Sequence, residues 1–486
     1  MTASPVELLR FRVSAPLWAK FITHMMFACI GTTYWYCVAQ THCPVFLPMI
    51  SDTWVYPPAN YLSRICVSLA GFGQSAVFVT LYFYHKNKFP KHPICMKATL
   101  FVSLFASFNL GVIGSVCEKA TVPSCQGNNK VHLFAAMTFF SWSTAYAVIV
   151  SLIDERAFHT RKVQIACVLA SVAAKLRFVL PASLLVQNPD EVAFFPYVQI
   201  FEWADVFCLL TFFAVFCAEH VPHYYFGLIR VHPGIQPRGQ SDLTVLISWS
   251  GRTLATLTII MNIFTIASTF VLSTSDGTIH PWQSWPAMSD MWVSPPSNMI
   301  SRYMVCLGSV VAFITQVAHY FVTSPYRAQM LNLSLHSMTW VGLVGLMFVG
   351  ACNEDEDPTV HDAGASAFFT LHCGYFVLDA MWSPSASNSK VETLKKSLQL
   401  FGLLLVLLSW WMVLKPMLGD PKGHWLGPTQ VGHHSVLHLL EWAVWAGFLF
   451  SLRSSMRELP GAGEVRLAFF RKEESMEEKS SSLFYA

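Results

Sequence analysis

Apolar runs long enough to cross a bilayer follow one another along almost the whole chain, and this constrains the fold more than any other feature. A helix rising about 1.5 Å per residue needs roughly 20 residues to span a hydrocarbon core of about 30 Å. Runs of that length lie near residues 15–38, 65–84, 97–116, 131–153, 163–186 and 197–219. A second set lies near 243–272, 303–323, 332–352, 361–382, 397–414 and 432–452. Polar, Pro-rich or charged stretches separate them, and only 12% of the 486 residues are charged, against about 25% in soluble domains. Backbone polar groups in lipid must be paired within their own segment, which favours helices. The expectation is an all-α polytopic membrane protein with about twelve transmembrane helices. The first run is of full spanning length, contains Trp and Tyr and lacks a small-residue cleavage site, so it reads as a signal anchor.

Basic residues give the orientation. They collect at Arg10, Arg12 and Lys20, at Lys86, Lys88, Lys91 and Lys97, and at Arg156, Arg161 and Lys162. They recur at Arg230 and Arg238, at Lys390, Lys395 and Lys396, and from Arg453 to Lys472. Under the positive-inside rule these sites and both termini are cytosolic. The alternate loops are basic-poor or acidic, most clearly Asn353-Glu354-Asp355-Glu356-Asp357. The net charge of +3, with no basic stripe, argues against a nucleic-acid partner. Most of the 13 cysteines fall in or beside spans and read as small buried hydrophobes. Cys117 and Cys125 flank one lumenal connection, where a disulfide can form.

The most specific signal is an internal repeat. Pro48-Met49-Ile50-Ser51-Asp52-Thr53-Trp54-Val55-Tyr56-Pro57-Pro58 recurs as Pro286-Ala287-Met288-Ser289-Asp290-Met291-Trp292-Val293-Ser294-Pro295-Pro296. Ser63-Arg64 and Ser301-Arg302 follow. Val131-His132, Phe139-Phe140 and Tyr146 match Val360-His361, Phe368-Phe369 and Tyr375, and Glu202-Trp203-Ala204 matches Glu441-Trp442-Ala443. Three matches in the same order mark a duplication. The expected units are 1–235 and 236–455, each with six spans, followed by a charged, Ser-rich and disordered tail over 456–486. An even number of spans per unit makes the repeat a parallel one.

All three matched elements fall on one side of the membrane. A carboxylate inside a span costs about 2.5–3.5 kcal/mol at the helix centre on insertion scales, so it faces a partner or a wet cavity. The expected partners of Glu202 are His132 and Arg64, and those of Glu441 are His361 and Arg302. On a functional reading, His132 and His361 act as general bases oriented by Glu202 and Glu441, on a lipid hydroxyl or ester. Ser51, Asp52, Arg64, Ser289, Asp290 and Arg302 then form the lipid-binding set. On a structural reading the same Glu, His and Arg residues lock the helices together. Nothing like GxSxG surrounds Ser51 or Ser289, which disfavours a serine nucleophile. His433, His434 and His438 read as interfacial histidines, so neither a metal nor a cofactor is expected. Trp18, Trp54, Trp292 and Trp382 read as interface anchors.

At these residues the sequence resembles the Frag/DRAM/Sfk family, which includes post-GPI attachment to proteins factor two and the amino-terminal region of Cwh-type proteins. The resemblance rests on the loops Pro48 to Arg64 and Pro286 to Arg302, on His132 and His361, and on Glu202 and Glu441, and it covers nearly all of the chain except the tails. It implies six-span units in secretory or endolysosomal membranes. For the GPI branch it also implies remodelling of GPI-anchor lipids in the Golgi or endoplasmic reticulum, by acyl transfer or by presenting the anchor to other GPI-processing proteins. A regulatory or scaffolding protein, as in the DRAM and Sfk branches, is the alternative. A transporter is less favoured, since Asn109, Asn262, Glu202, Glu441 and Asp379 do not make a continuous line along the spans.

Overall fold

The structure is a computed structural model that describes residues 6–90, 93–119, 128–153, 162–163, 165–166, 169, 197–231, 243–283, 285–382, 438–439, 441–449, 452 and 464–472. The expected span at 397–414 lies outside these residues, as does most of those at 163–186 and 432–452. Two compact units divide the chain, one mainly Phe11–Gly227 and the other mainly Ser248–Ala468.

In the first copy, strand β1 (Val6–Ser14) runs straight into α1 (Ala15–Ala39). Ser14 makes the switch: its backbone is extended and its hydroxyl accepts the Leu17 N–H at 3.4 Å, while Pro16 suits the first helical turn. A 3-10 turn at Ser51–Trp54 leads to α2 (Ala59–Lys88), α3 (Pro93–Ser115) and α4 (Asn129–Ile153). The copy continues with α5 (Tyr197–His220) and β2 (Tyr224–Val231). The second copy repeats this order: β3 (Leu243–Ser250), α6 (Gly251–Ser275), a 3-10 turn at Ser289–Trp292 and α7 (Ser297–Thr323). Then come α8 (Gln329–Ala351), α9 (Pro358–Trp382), helical residues 441–449 and β4 (Glu464–Lys472). Ser250 caps α6 as Ser14 caps α1, accepting from Thr253 N at 3.1 Å. In both copies the Pro–Pro peptide before the second helix is cis.

Among the described residues, α2, α3, α4, α6, α7, α8 and Glu202–His220 of α5 are long and apolar enough to cross a membrane. α1 and α9, 25 residues each, are long enough but less apolar. Neighbouring helices pack in sequence order within each copy, α1 on α2, α2 on α3 and α3 on α4, then α6 on α7, α7 on α8 and α8 on α9. Glycine permits the closest approaches. A Cβ on Gly114 would lie 2.7 Å from Val67 Cβ, and one on the matching Gly350 would lie 2.8 Å from Val305 Cβ. Small residues at such crossings are the usual device for close helix packing in lipid.

The chain is mostly helical but not all-α. Strand β1 lies beside β2, and β3 beside β4. Residues 243–250, read as the start of a span, are strand β3. Their mixture of β-branched and aromatic residues with Thr and Ser favours a strand, and the cap at Ser250 starts the helix only afterwards. Residues 464–472, read as part of a disordered tail, are strand β4. Val465 and the run Leu467 to Phe470 are buried between flanking charges, a short apolar strand that a count of charge and serine hides.

Candidate functional sites

In copy one the Ser-Asp-x-Trp turn is held over the bundle by the helix that carries Glu202. The Glu202 Oε2 accepts the Ile50 N–H at 3.2 Å, and the next residue, Trp203, donates Nε1–H to the Pro48 carbonyl at 2.8 Å. Trp54 Nε1 donates to Thr33 Oγ1 at 3.2 Å, which seats the other end of the turn on α1. The Ser51 hydroxyl, at the start of the turn, donates to Glu118 Oε2 at 2.7 Å. His132 opens α4 with its Nδ1 at 2.7 Å from the Val116 carbonyl. A carbonyl only accepts, so Nδ1 carries the proton and Nε2 is the ring nitrogen left for other chemistry.

Beneath the turn is a cavity of ≈ 50 Å³, which Ser51, His132 and Glu202 line at one end. Apart from Gln74 its remaining wall is apolar, with Trp54, Phe139 and Phe140 among its residues. That is room for a few waters or a slender apolar group. The polar end and the apolar body share one enclosure, the shape of a site for a molecule with both characters.

Copy two builds the same cavity, at ≈ 60 Å³, from Ser289, His361, Glu441, Trp292, Phe368 and Phe369. Its supports correspond one to one. Glu441 accepts from the Met288 N–H, Trp442 donates to the Pro286 carbonyl at 3.0 Å, and Trp292 donates to Thr269 Oγ1 at 3.2 Å. His361 Nδ1 lies 2.8 Å from the Cys352 carbonyl, and Ser289 hydrogen-bonds Glu354. Glu354 lies in the connection between α8 and α9. Desolvation raises its carboxyl above the usual range, with Asp290 and Asp362 adding to the rise, against His361 and Ser289.

The structure therefore brings Ser, His and Glu together in each copy, but leaves the other expected residues outside the cavity. Asp52 pairs with Lys119 at 2.8 Å, and Asp290 accepts the Ala287 N–H at 2.7 Å. The expected pairing of Glu202 with Arg64 and of Glu441 with Arg302 is replaced by the backbone N–H groups of the turns. Buried Arg302 pairs with buried Glu356 on the α8–α9 connection instead, and buried Arg64 lies over the Tyr61 ring. Nor does Glu orient the histidines, since the carbonyls of Val116 and Cys352 do so. Trp54 and Trp292 are cavity walls rather than interface anchors, while the Trp382 side chain lies outside the described residues. Cys37 and Cys43, read as buried hydrophobes, form a disulfide. Cys117 is disulfide-bonded as well, and Cys125 lies outside the described residues. His433 and His434 lie outside them too, and His438 Nδ1 is taken by the Trp285 carbonyl at 2.7 Å. Among the described residues no group of three or more His, Cys, Asp or Glu is placed to hold a metal.

Glu118 and Glu354 were missed. The signal was a Cys followed by Glu at 117–118 and by Asn-Glu at 352–354, and the extra residue hid the match.

These bundles, each with one amphipathic cavity under a short capped turn, define a polytopic helical membrane protein. The chain belongs to the Frag1/DRAM/Sfk1/Cwh43P N-terminal domain family, which it matches twice, over residues 14–220 and 250–462. No curated protein and no solved structure matches it.

Proposed function

We propose that this protein is a remodelling factor for GPI-anchor lipids, which binds the anchor in the lumenal leaflet and acts on it or presents it to another GPI-processing protein. The observation that carries the reading is the cavity itself, present in both copies, with a Ser–His–Glu end and an aromatic, apolar body. A lipid enters such a site with its polar linkage against the polar end and its chain along the phenylalanines. The rim supports the choice of headgroup. Glu118 and Glu202, or Glu354 and Glu441, are hydrogen-bond acceptors, which suit a hydroxyl- and ammonium-bearing headgroup such as a glycan. The Cys37–Cys43 disulfide beside the turn suits an oxidising compartment and so supports a lumenal position for this end of the bundle, with both termini cytosolic.

In the catalytic form of the proposal, His132 and His361 take a proton from a lipid hydroxyl or water through Nε2, while Nδ1–H stays on its carbonyl. Ser51 and Ser289 bind the headgroup. The test is lipid mass spectrometry of GPI-anchored proteins from cells lacking the gene, rescued by wild type or by a variant carrying Glu202→Gln and Glu441→Gln. Altered anchor lipids that only wild type restores support the reading, provided the variant is expressed and correctly localised. Unchanged anchor lipids on deletion refute it. A scaffolding reading has its own observation, the Glu202–Ile50 and Glu441–Met288 bonds that tie turn to bundle. It predicts normal anchor lipids in the null cells.

A further inference from the structure

The two copies differ sharply in what fills the bundle beyond the cavity. In copy two, one buried face of α7 carries Ser309, Gln316, His319 and Thr323, and one buried face of α9 carries His361, Phe368, His372, Tyr375 and Asp379. The spacings of three, four and seven keep each set on one side of its helix. The same register in copy one reads Gly71, Phe78, Leu81 and His85 on α2, and His132, Phe139, Ser143, Tyr146 and Val150 on α4. Phe78 and Leu81 stand where copy two has Gln316 and His319, and Val150 stands where it has Asp379. The cavity is common to both copies; copy one has its own buried polar residues, Gln74, His85, Ser143 and Tyr146 among them, and copy two adds Gln316, His319, His372 and Asp379.

That column has two parts. Among the described residues, both amide atoms of Gln316 and both ring nitrogens of His372 have no hydrogen-bond partner, although the two residues are 0% and 2% exposed. The seat of His372 is specific. A Cβ on Gly342 would lie 2.6 Å from its Nδ1, and copy one carries the reciprocal pair of a larger Ala106 and a smaller Ser143. The Phe368 ring, part of the cavity wall, is 4.8 Å from the His372 ring. Towards the other end of the bundle, the Tyr375 hydroxyl is a hub. It lies 2.7 Å from His319 Nδ1, 3.4 Å from His336 Nε2 and 3.3 Å from Asp379 Oδ1. Arg327 closes the column with a 2.7 Å bond to Asp379, and among the described residues its Nε and Nη1 have no partner.

Ionisable groups within a membrane span mark ion or proton pathways when they form a chain. A helix lock alone does not explain why both amide atoms of Gln316 and both ring nitrogens of His372 stand unpaired among the described residues. We infer that copy two carries a proton pathway across its bundle, from the Ser289–His361–Glu441 cavity through His372 and the Tyr375–His319–His336 hub to Asp379 beside Arg327. Each transfer is a simple exchange. His372 gains a proton on one ring nitrogen as the other releases its own, the Tyr375 hydroxyl gains one as it donates one, and every group regains its starting proton count. Gln316, which can both donate and accept, orients water between the cavity and the hub. This inference does not rest on the lipid reading of the cavities.

The experiment uses the full chain in proteoliposomes with a pH-sensitive dye inside, an imposed pH step, and valinomycin with potassium to clamp the potential. Wild type should dissipate the step faster than protein-free vesicles. His319→Leu, and Gly342→Ala with His372→Ser, install the copy-one residues and should return the rate to the protein-free value. Ser143→Ala in copy one should leave it unchanged. Where a variant is not monodisperse in detergent, His319→Gln replaces it, since glutamine keeps a hydrogen-bonding side chain but does not take up and pass on a proton at this pH. A wild-type rate equal to that of protein-free vesicles, or full flux in the monodisperse column variants, overturns the proposal.

Discussion

Replacing Glu202 tests whether its carboxylate holds the turn or serves the cavity, because alanine and glutamine remove different things. Ile50 is 2% exposed, and its N–H is bonded to Glu202 Oε2 at 3.2 Å. Glu202→Ala leaves a buried N–H without an acceptor, which costs about 1–3 kcal/mol. Glu202→Gln keeps an oxygen at the same place. It therefore gives up at most about 1 kcal/mol. The adjacent Trp203 bond to the Pro48 carbonyl at 2.8 Å survives either change, so the turn stays attached and the effect stays local. For a unit of this size 1 kcal/mol shifts a two-state midpoint by roughly 2–4 °C. Thermal unfolding of the purified protein in detergent should therefore place Gln within a few degrees of wild type, with Ala clearly lower, and the Glu441 pair should repeat the order. Equal losses for Ala and Gln, or no loss for Ala, would refute the assignment of this bond as the tether.

Glu356→Gln removes the carboxylate paired with buried Arg302, and loss of one partner of such a pair costs about 3–5 kcal/mol. Arg302→Met combined with Glu356→Leu should recover much of that in the same unfolding assay, and an additive loss would count against the pair. Gly350→Leu drives a side chain into Val305 and should destabilise by about 1–3 kcal/mol, as should Gly114→Leu against Val67. A melting profile unchanged by either would mean that these helix crossings are looser than the 2.7 and 2.8 Å approaches indicate. Because the Glu354 carboxyl is raised in the folded state, mainly by desolvation, that state holds its proton more tightly than the unfolded chain does. Its contribution is present below the unfolded carboxylate value and is lost as pH rises through the folded one. The unfolding midpoint should thus gain as pH falls across the carboxylate range, and Glu354→Gln should remove that component; an unchanged slope in the variant contradicts it.

The helices at 15–39, 93–115, 129–153 and 329–351 were legible because a spanning helix is set by a local quantity, the length of an uninterrupted apolar run. The duplication was legible too, and with it the Ser, His and Glu of each cavity, because paired copies display which polar residues recur at one register. The strands at 243–250 and 464–472 were not. Short apolar stretches are compatible with helix, strand or tail until a partner strand takes up their backbone groups.

Side-chain partners lie at the same boundary. From sequence, Arg64 and Arg302 were the natural counter-charges for Glu202 and Glu441. Only the tertiary structure could show that backbone N–H groups of the turns reach those carboxylates first, and that Arg302 finds Glu356 54 residues away. Glu118 and Glu354 were invisible as site residues because a loop residue acquires a role only from what the loop is folded against. The polar column of copy two is the extreme case. His319, His336 and Tyr375 come from three different helices, each looks like an isolated polar residue in an apolar run, and helix packing alone puts them within one hydrogen-bonded cluster. Sequence determines which segments enter the bilayer and which residues the duplication retained. Packing decides which of those residues meet, because distances between side chains on different helices depend on every crossing between them.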